Sequence, residues 1–420
     1  MVSRSTLSNG VRVLTESMPH VLSATIGIWV ENGSRYEEPI DNGVSHFIEH
    51  LLFKGTPTRT AAQIAEQIDT VGGVLNAFTG KEYTCYYAKV LGQDLPMTTE
   101  LLADIFLNSL FDPAEIDRER QVVLQEISQA EDTPDDFIHD LFTLNFWRGH
   151  PLALPIFGSV ETVNRIDRAL LTSFMAERYR AGRIFIAAAG RIDHQSLVRD
   201  CERLFGRIAG NGRVEKVEPP KESPIVVAEE KKLEQMHICI GGPGLSQVSK
   251  LRYASYVLNT ALGGGMSSRL FQEVREKRGR VYSIYSSMAS YADCGYFLTY
   301  AGTNPEWLDE VLEVTLKEIR KVARDGLKPD ELERAKSQIK GNMLLGLEGT
   351  ESRMNRLARN EIYFQREVPL EELAQGIDSV TNDQIIELAS SWFQPRKMAM
   401  ALLGDLKGHK YDTSVFSELG

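Results

Sequence analysis

Two histidines four positions apart, His46 and His50, stand in the run Gly43-Val-Ser-His-Phe-Ile-Glu-His-Leu-Leu-Phe-Lys-Gly-Thr. On an α-helix, residues i and i+4 lie one above the other, so both imidazoles can converge on a single ion. Glu49 precedes His50 directly, beside that face, where its carboxylate can take a proton from a water held by the ion. The pattern is H-x-x-E-H, the reverse of H-E-x-x-H with the same physical content. Two histidines do not complete such a site, because a catalytic zinc takes three protein ligands and leaves the fourth position to water. A helical run further on, Glu115–Ala130, offers Glu119 and Glu126, seven residues and therefore two turns apart on one face. Either can be the third ligand, and spacing does not choose between them.

The elements that must hold these side chains follow a pattern written twice. Alternating strand signals at Val11–Thr15 and Ser23–Glu31 precede the helical run Val44–Phe53, strands near Gly73–Val90 and a helical region Asp94–Leu110. The second half repeats this with strands at Ile225–Glu229 and Gln235–Gly241, a helical run Leu251–Leu262, strands near Val281–Ala301 and helical Glu306–Arg324. Phe111-Asp-Pro-Ala-Glu-Ile-Asp-Arg-Glu-Arg matches Leu327-Lys-Pro-Asp-Glu-Leu-Glu-Arg-Ala-Lys, each a proline near the start of a long amphipathic helix, 216 residues apart. Gly206–Ser223, weak in periodicity and rich in Gly, Pro and charge, reads as the linker. The expectation is two homologous domains, 1–215 and 216–420, each α+β, a mainly antiparallel sheet with helices on one face. Registering Gly55 on Gly264 puts Ser255, Leu258 and Asn259 where the first copy has His46, Glu49 and His50, and Glu119 and Glu126 fall on Ala335 and Asn342. One copy is equipped to hold metal and the other is not, a division expected if the second supplies binding surface.

These motifs resemble the pitrilysin or insulinase zinc peptidases, the inverzincins, over nearly the whole chain. The nearest wording is that of bacterial two-domain relatives of the mitochondrial processing peptidase catalytic subunit, on the His46 segment together with Asn76-Ala-Phe-Thr and Leu262-Gly-Gly-Gly-Met-Ser-Ser-Arg-Leu-Phe. The resemblance implies that His46, His50 and Glu126, the glutamate about 75 residues beyond the motif, hold one Zn2+ per subunit. It gives Glu49 the role of general base and Glu119 a supporting catalytic one. An arginine and a tyrosine seven residues apart stabilise the oxyanion in that family, which falls on Arg275 and Tyr282. Read without the family, Arg275 is one charge on a highly charged helix end and Tyr282 an ordinary strand residue. Asn76, Ala77, Phe78 and Thr79 correspond to the edge strand on which an extended substrate adds its backbone; from the residues alone this is equally a hairpin completing the sheet.

Longer relatives carry four such domains closing as two bowls around a chamber, so this chain is expected to be half of a clamshell. The economical partner is a second copy in a twofold homodimer, with a non-catalytic relative as the other candidate. The expected function is a zinc metalloendopeptidase acting on peptides or flexible leader segments inside that chamber. A non-catalytic peptide-binding or assembly subunit is the rival, disfavoured by the intact Glu49 and ligand candidates.

Composition narrows the partners. With 47 Lys and Arg against 58 Asp and Glu, the net charge of −11 opposes binding to nucleic-acid phosphates and suits basic peptides. The four cysteines, Cys85, Cys201, Cys239 and Cys294, form no close pair, which argues against a disulfide framework or a thiolate zinc site. No apolar run approaches a membrane span, and the N-terminal residues lead into strand-like Val11–Thr15 without the apolar segment of a signal peptide. The chain accordingly reads as cytoplasmic, with no membrane partner.

Overall fold

Strands form where the alternation predicts them, and also where it is silent. In a computed structural model, which describes residues 2–419 except Asn211, Arg213 and Glu215, eleven strands build two sheets. The boundary expected at residue 215 falls outside the described residues. The chain divides into two compact units: Met1–Gln129 with Leu154–Glu218 and Gly346–Glu367, and Ala130–Ala153 with Pro219–Leu345 and Val368–Gly420.

The first unit holds β1 (Val2–Thr6), β2 (Arg12–Ser17), β3 (Ser23–Val30), β4 (Val74–Thr79), β5 (Thr84–Leu91) and β6 (Ile184–Gly190), in the order β1-β2-β6-β3-β5-β4. Only β2 and β6 run parallel. The second unit holds β7 (Val226–Glu230), β8 (Met236–Pro243), β9 (Val281–Ser290), β10 (Gly295–Thr303) and β11 (Ala399–Gly404), in the order β7-β11-β8-β10-β9. There β7 and β11 form the parallel pair. Leaving β1 aside, the two sheets have the same strand order and the same single parallel pairing. The repeat seen in the sequence is thus a repeat of topology, and the mainly antiparallel α+β class is the observed one.

One face of the first sheet carries the main core, where Ile26, Ile28, Tyr86 and Ile186 meet buried residues of α1 (Val44–Leu52), α2 (Ala61–Thr70), α3 (Leu95–Asn108) and α4 (Pro113–Glu131). The opposite face is not bare. The helix Thr350–Phe364 lays Met354, Leu357 and Ala358 on Leu14, Trp29, Cys85 and Phe185. In the second unit, helices Arg252–Gly263, Leu308–Asp325 and Asn382–Trp392 cover one face, and α5 (Pro134–Phe146) covers the other. The helix after α4 therefore belongs to the second unit, and the helix after the equivalent Pro329–Gly346 belongs to the first. Each sheet gains its outer layer from the other half of the chain, an exchange that removes a large apolar face from water.

Among the described residues no helix is long and apolar enough to cross a membrane.

Candidate metal centre

The helix that carries the histidines starts at a designed corner. Gly43 sits at φ +99°, and a Cβ there would lie 2.8 Å from the Phe157 carbonyl oxygen, so glycine meets both demands. Just beyond it, the first orphan N–H groups of α1 find a buried acceptor: Gly43 N–H donates to Glu37 Oε2 and Ser45 N–H to Oε1, each at 2.8 Å. Asn42 Nδ2 adds a third donor to the same carboxylate. Val44, Phe47, Ile48, Leu51 and Leu52 then face the core. The helix is thereby fixed in rotation, with His46 and His50 directed away from the core.

Alpha-helix α4 faces them. Ile116, Val123 and Ile127 anchor its inner side, and at the intervening positions of that face stand Glu119, 5% exposed, and the half-exposed Glu126. The two glutamates that spacing could not separate have different partners. Glu126 Oε2 lies 3.6 Å from His46 Nε2 and 3.6 Å from His50 Nε2. Glu119 Oε2 lies 3.1 Å from the other ring nitrogen of His50, Nδ1, and its Oε1 lies 2.6 Å from Lys54 Nζ. His46, His50 and Glu126 form the one group of three potential ligands found among the described residues, all ligand atoms within 4.8 Å of one another.

This donor set fits zinc. Ligand atoms about 2.0–2.2 Å from a tetrahedral ion stand roughly 3.3–3.6 Å apart, which the two Nε2 to Oε2 distances satisfy. Burial, with a smaller push from neighbouring His50, lowers the His46 pKa to about 4, so its ring is neutral and its lone pair available at neutral pH. With Glu119 Oε2 beside Nδ1 of His50, Nε2 of that ring is left free to face a metal, the arrangement in which a carboxylate orients a metal-binding imidazole. Two nitrogens and a carboxylate oxygen form the ligand set that zinc enzymes of the His2Glu type use.

Glu49 projects from the same helix and accepts a hydrogen bond from Thr79 Oγ1 at 2.5 Å. Burial raises its pKa and the Thr79 hydrogen bond opposes that rise, the condition of a carboxylate poised to exchange protons. Thr79 ends β4, which pairs with β5 on one side and forms the edge of its sheet. Along β4, Ala77 is buried in the main core beside α1, while Phe78 lies in an aromatic cluster with Trp29, Tyr83 and Tyr87 on the opposite face. Asn76 is exposed, its Oδ1 taking the Ala77 N–H. Of the segment Asn76–Thr79, the side chain bonded to Glu49 is that of Thr79.

Arg275 and Tyr282 belong to the second unit and come together there. Arg275 lies in a π-helical turn, Phe271–Glu276, its guanidinium 4.8 Å from the centre of the Phe271 ring and 5.7 Å from that of Tyr282. Tyr282, near the start of edge strand β9, is 78% exposed. On helix Arg252–Gly263, Ser255 and Asn259 occupy the places of the histidines; Ser255 is buried and donates to Arg252 O, and among the described residues no group of three potential ligands gathers there.

Sequence reasoning did not single out Lys54, Glu37 or the hydrogen bond from Thr79 to Glu49. Lys54 carried a readable signal, four positions after His50 and so on its face. Glu37 did not, because it caps α1 from an irregular segment.

Residues 12–160 match the family model described as insulinase, peptidase family M16, and residues 165–339 match the model described as the peptidase M16 inactive domain. An uncharacterized zinc protease of Streptomyces coelicolor is 42% identical, the match covering 97% of this chain and 90% of that one. The zinc protease YmxG of Bacillus subtilis, also uncharacterized, is 41% identical over 96% of this chain and 98% of its own. Among solved structures, a peptidase M16 inactive-domain protein from Pseudomonas fluorescens superposes with a TM-score of 0.89 at 20% identity, covering 96% of this chain and 98% of that one. A protease from Helicobacter pylori gives 0.88 at 20% identity, with 96% and 99% covered. At that identity the two structures speak for the fold, whereas the family models and the full-length relatives reach further: the chain belongs to the insulinase family of peptidases, M16.

Proposed function

We propose that this chain is a zinc-dependent endopeptidase whose site is His46, His50 and Glu126, with Glu49 as general base, one zinc per subunit. The observation that carries the reading is the convergence of His46 Nε2 and His50 Nε2 on one oxygen of Glu126, each at 3.6 Å, with Glu49 on the same helix. When bound, zinc polarises a peptide carbonyl and makes a water acidic enough to attack near neutral pH. Glu49 takes the proton of the attacking water and passes it to the departing amine nitrogen. Thr79 keeps the Glu49 carboxylate pointed at the reacting atoms. Asn76–Thr79 receives the extended substrate by backbone pairing, which leaves sequence tolerance broad. Arg275 and Tyr282 donate to the developing oxyanion; their role rests on the family resemblance, and their mutual contact supports their acting as a pair.

In this reading two copies close into a chamber that supplies each zinc with an Arg275 and Tyr282 pair. Folded domains are excluded by size, so the substrates are peptides and flexible leaders, and the net charge of −11 favours basic ones. The work is done in the cytoplasm. The test is cleavage of a fluorogenic basic peptide by wild type and Glu49→Gln at matched zinc content, over a range of protein concentrations. Activity lost in the variant, with wild-type rate per subunit rising with concentration, is expected. Equal or absent activity in both zinc-loaded proteins contradicts the reading and favours a non-catalytic peptide-binding subunit.

A further inference from the structure

Lys54 lies just past the end of α1, its N–H still bonded to the Leu51 carbonyl, so the backbone carries it on from His50 by one turn. Its ammonium does not extend into solvent. It stands 2.6 Å from Glu119 Oε1, while the other oxygen of that carboxylate is 3.1 Å from His50 Nδ1. Glu119 is 5% exposed, so these two partners, rather than water, face its carboxylate oxygens. We infer that Lys54 is a positioning residue for the metal ligand His50, acting through Glu119.

With Oε1 held by Lys54 and Oε2 facing His50 Nδ1, the carboxylate is oriented by two contacts, one on each oxygen, and the second aims the Nε2 lone pair toward Glu126 and His46. Without Lys54 the Oε1 side loses this charged contact, the carboxylate can rotate about its own axis, and the His50 ring is freed with it. Groups that orient a metal-binding histidine are worth roughly 10–100-fold in metal affinity. Lys54 stands one contact further out, so about tenfold is expected of it. Its position also explains why a charged side chain with two-thirds of its surface covered occurs there: it faces the buried Glu119 across the gap between α1 and α4.

This inference rests on the zinc site proposed above and is tested by zinc affinity rather than turnover. Zinc Kd is measured by competition with a chromophoric chelator for wild type, Lys54→Met, Lys54→Gln, Lys54→Arg, Glu119→Gln and the double variant Lys54→Met/Glu119→Gln. Thermal melting of the metal-free proteins is followed in parallel. Both Lys54→Met and Lys54→Gln should weaken zinc about tenfold, with Lys54→Arg recovering most of the loss, and Lys54→Met should add nothing in the Glu119→Gln background. A residue serving only the fold would lower the melting temperature and leave Kd alone. Wild-type Kd in the Lys54→Met and Lys54→Gln proteins overturns the inference, as does a Lys54 effect that adds in full to that of Glu119→Gln. Failure of the wild type itself to bind zinc would instead overturn the proposed function, and this inference with it.

Discussion

Thr79 Oγ1 donates to Glu49 Oε2 at 2.5 Å, joining the last residue of an edge strand to the carboxylate that stands on the helix of His46 and His50. In the proposed mechanism the strand that seats the substrate is thereby also the strand that aims the base, so that binding and proton transfer would share one rigid element. Hydrogen bonds to charged groups contribute about 1.5–3 kcal/mol. Thr79→Val should therefore lower kcat about 10- to 100-fold, with zinc content and KM close to wild type, and Thr79→Ser should keep most of the activity. Unchanged kcat in Thr79→Val would show that Glu49 needs no such support.

Glu49→Gln removes the proton acceptor and leaves the ligands. Acid–base catalysis of this kind contributes roughly 10²–10⁴-fold, so peptide cleavage should fall by that range while zinc content by elemental analysis stays near one per chain. His46→Ala, His50→Ala and Glu126→Ala should each lose the metal itself. If Glu49→Gln lost zinc as completely as His46→Ala, Glu49 would be a ligand and the assignment of roles would be wrong.

Removing the metal should be reversible. A chelator should abolish activity, and added zinc should restore it without refolding, because α1 is held by Glu37 and by a buried apolar face rather than by the ion. Far-ultraviolet circular dichroism should be unchanged between the two forms. Loss of helix on chelation would mark a structural rather than catalytic metal.

The exchanged helix Thr350–Phe364 makes a stability prediction far from the site. Met354 is fully buried on the outer face of the first sheet. Met354→Ala should cost about 2–5 kcal/mol, read from denaturant unfolding, with zinc affinity unaffected. A cost within about 0.5 kcal/mol, the range of ordinary surface substitutions, would mean that this helix does not cover the sheet as described.

Thiol chemistry tests the burial pattern. Cys85, Cys201 and Cys239 are buried, and burial pushes each thiol pKa above its ordinary value, whereas Cys294 is partly exposed. The folded state thus holds those three protons more tightly than the unfolded chain does. Their contribution to stability is present at neutral pH and is lost as the pH rises past the ordinary thiol range. Near pH 8 an alkylating reagent should label Cys294 in the native protein and all four in denaturant, as read by mass spectrometry. Fast native labelling of Cys85 or Cys239 would contradict the two-sided covering of the sheets.

Much of this was legible in the sequence, and the rest was hidden for identifiable reasons. The i, i+4 spacing of His46 and His50 is a local property of one helix, so the heart of the site could be read directly. Spacing left Glu119 and Glu126 open, because both lie on the same face of α4; the family resemblance pointed to Glu126, and the facing helix gives the two glutamates different partners. Strands β2, β3, β4, β5, β7, β8, β9 and β10 fall within or close to the expected segments, whereas β6 (Ile184–Gly190) and β11 (Ala399–Gly404) are buried on both faces and carry unbroken apolar runs with no alternation to read. One face of each sheet carries helices as expected, but the other face is covered too, by α5 in one unit and by Thr350–Phe364 in the other. Nothing local marks those helices for the other unit, since the signal is a contact between residues such as Met354 and Trp29, hundreds of positions apart.

The most direct measurement is anomalous diffraction at the zinc edge from crystals of the zinc-loaded protein. A single strong peak per chain within ligand distance of His46 Nε2, His50 Nε2 and a Glu126 carboxylate oxygen is predicted. Zinc bound in stoichiometric amount at any other residues, or a peak at Glu119 in place of Glu126, would contradict the account.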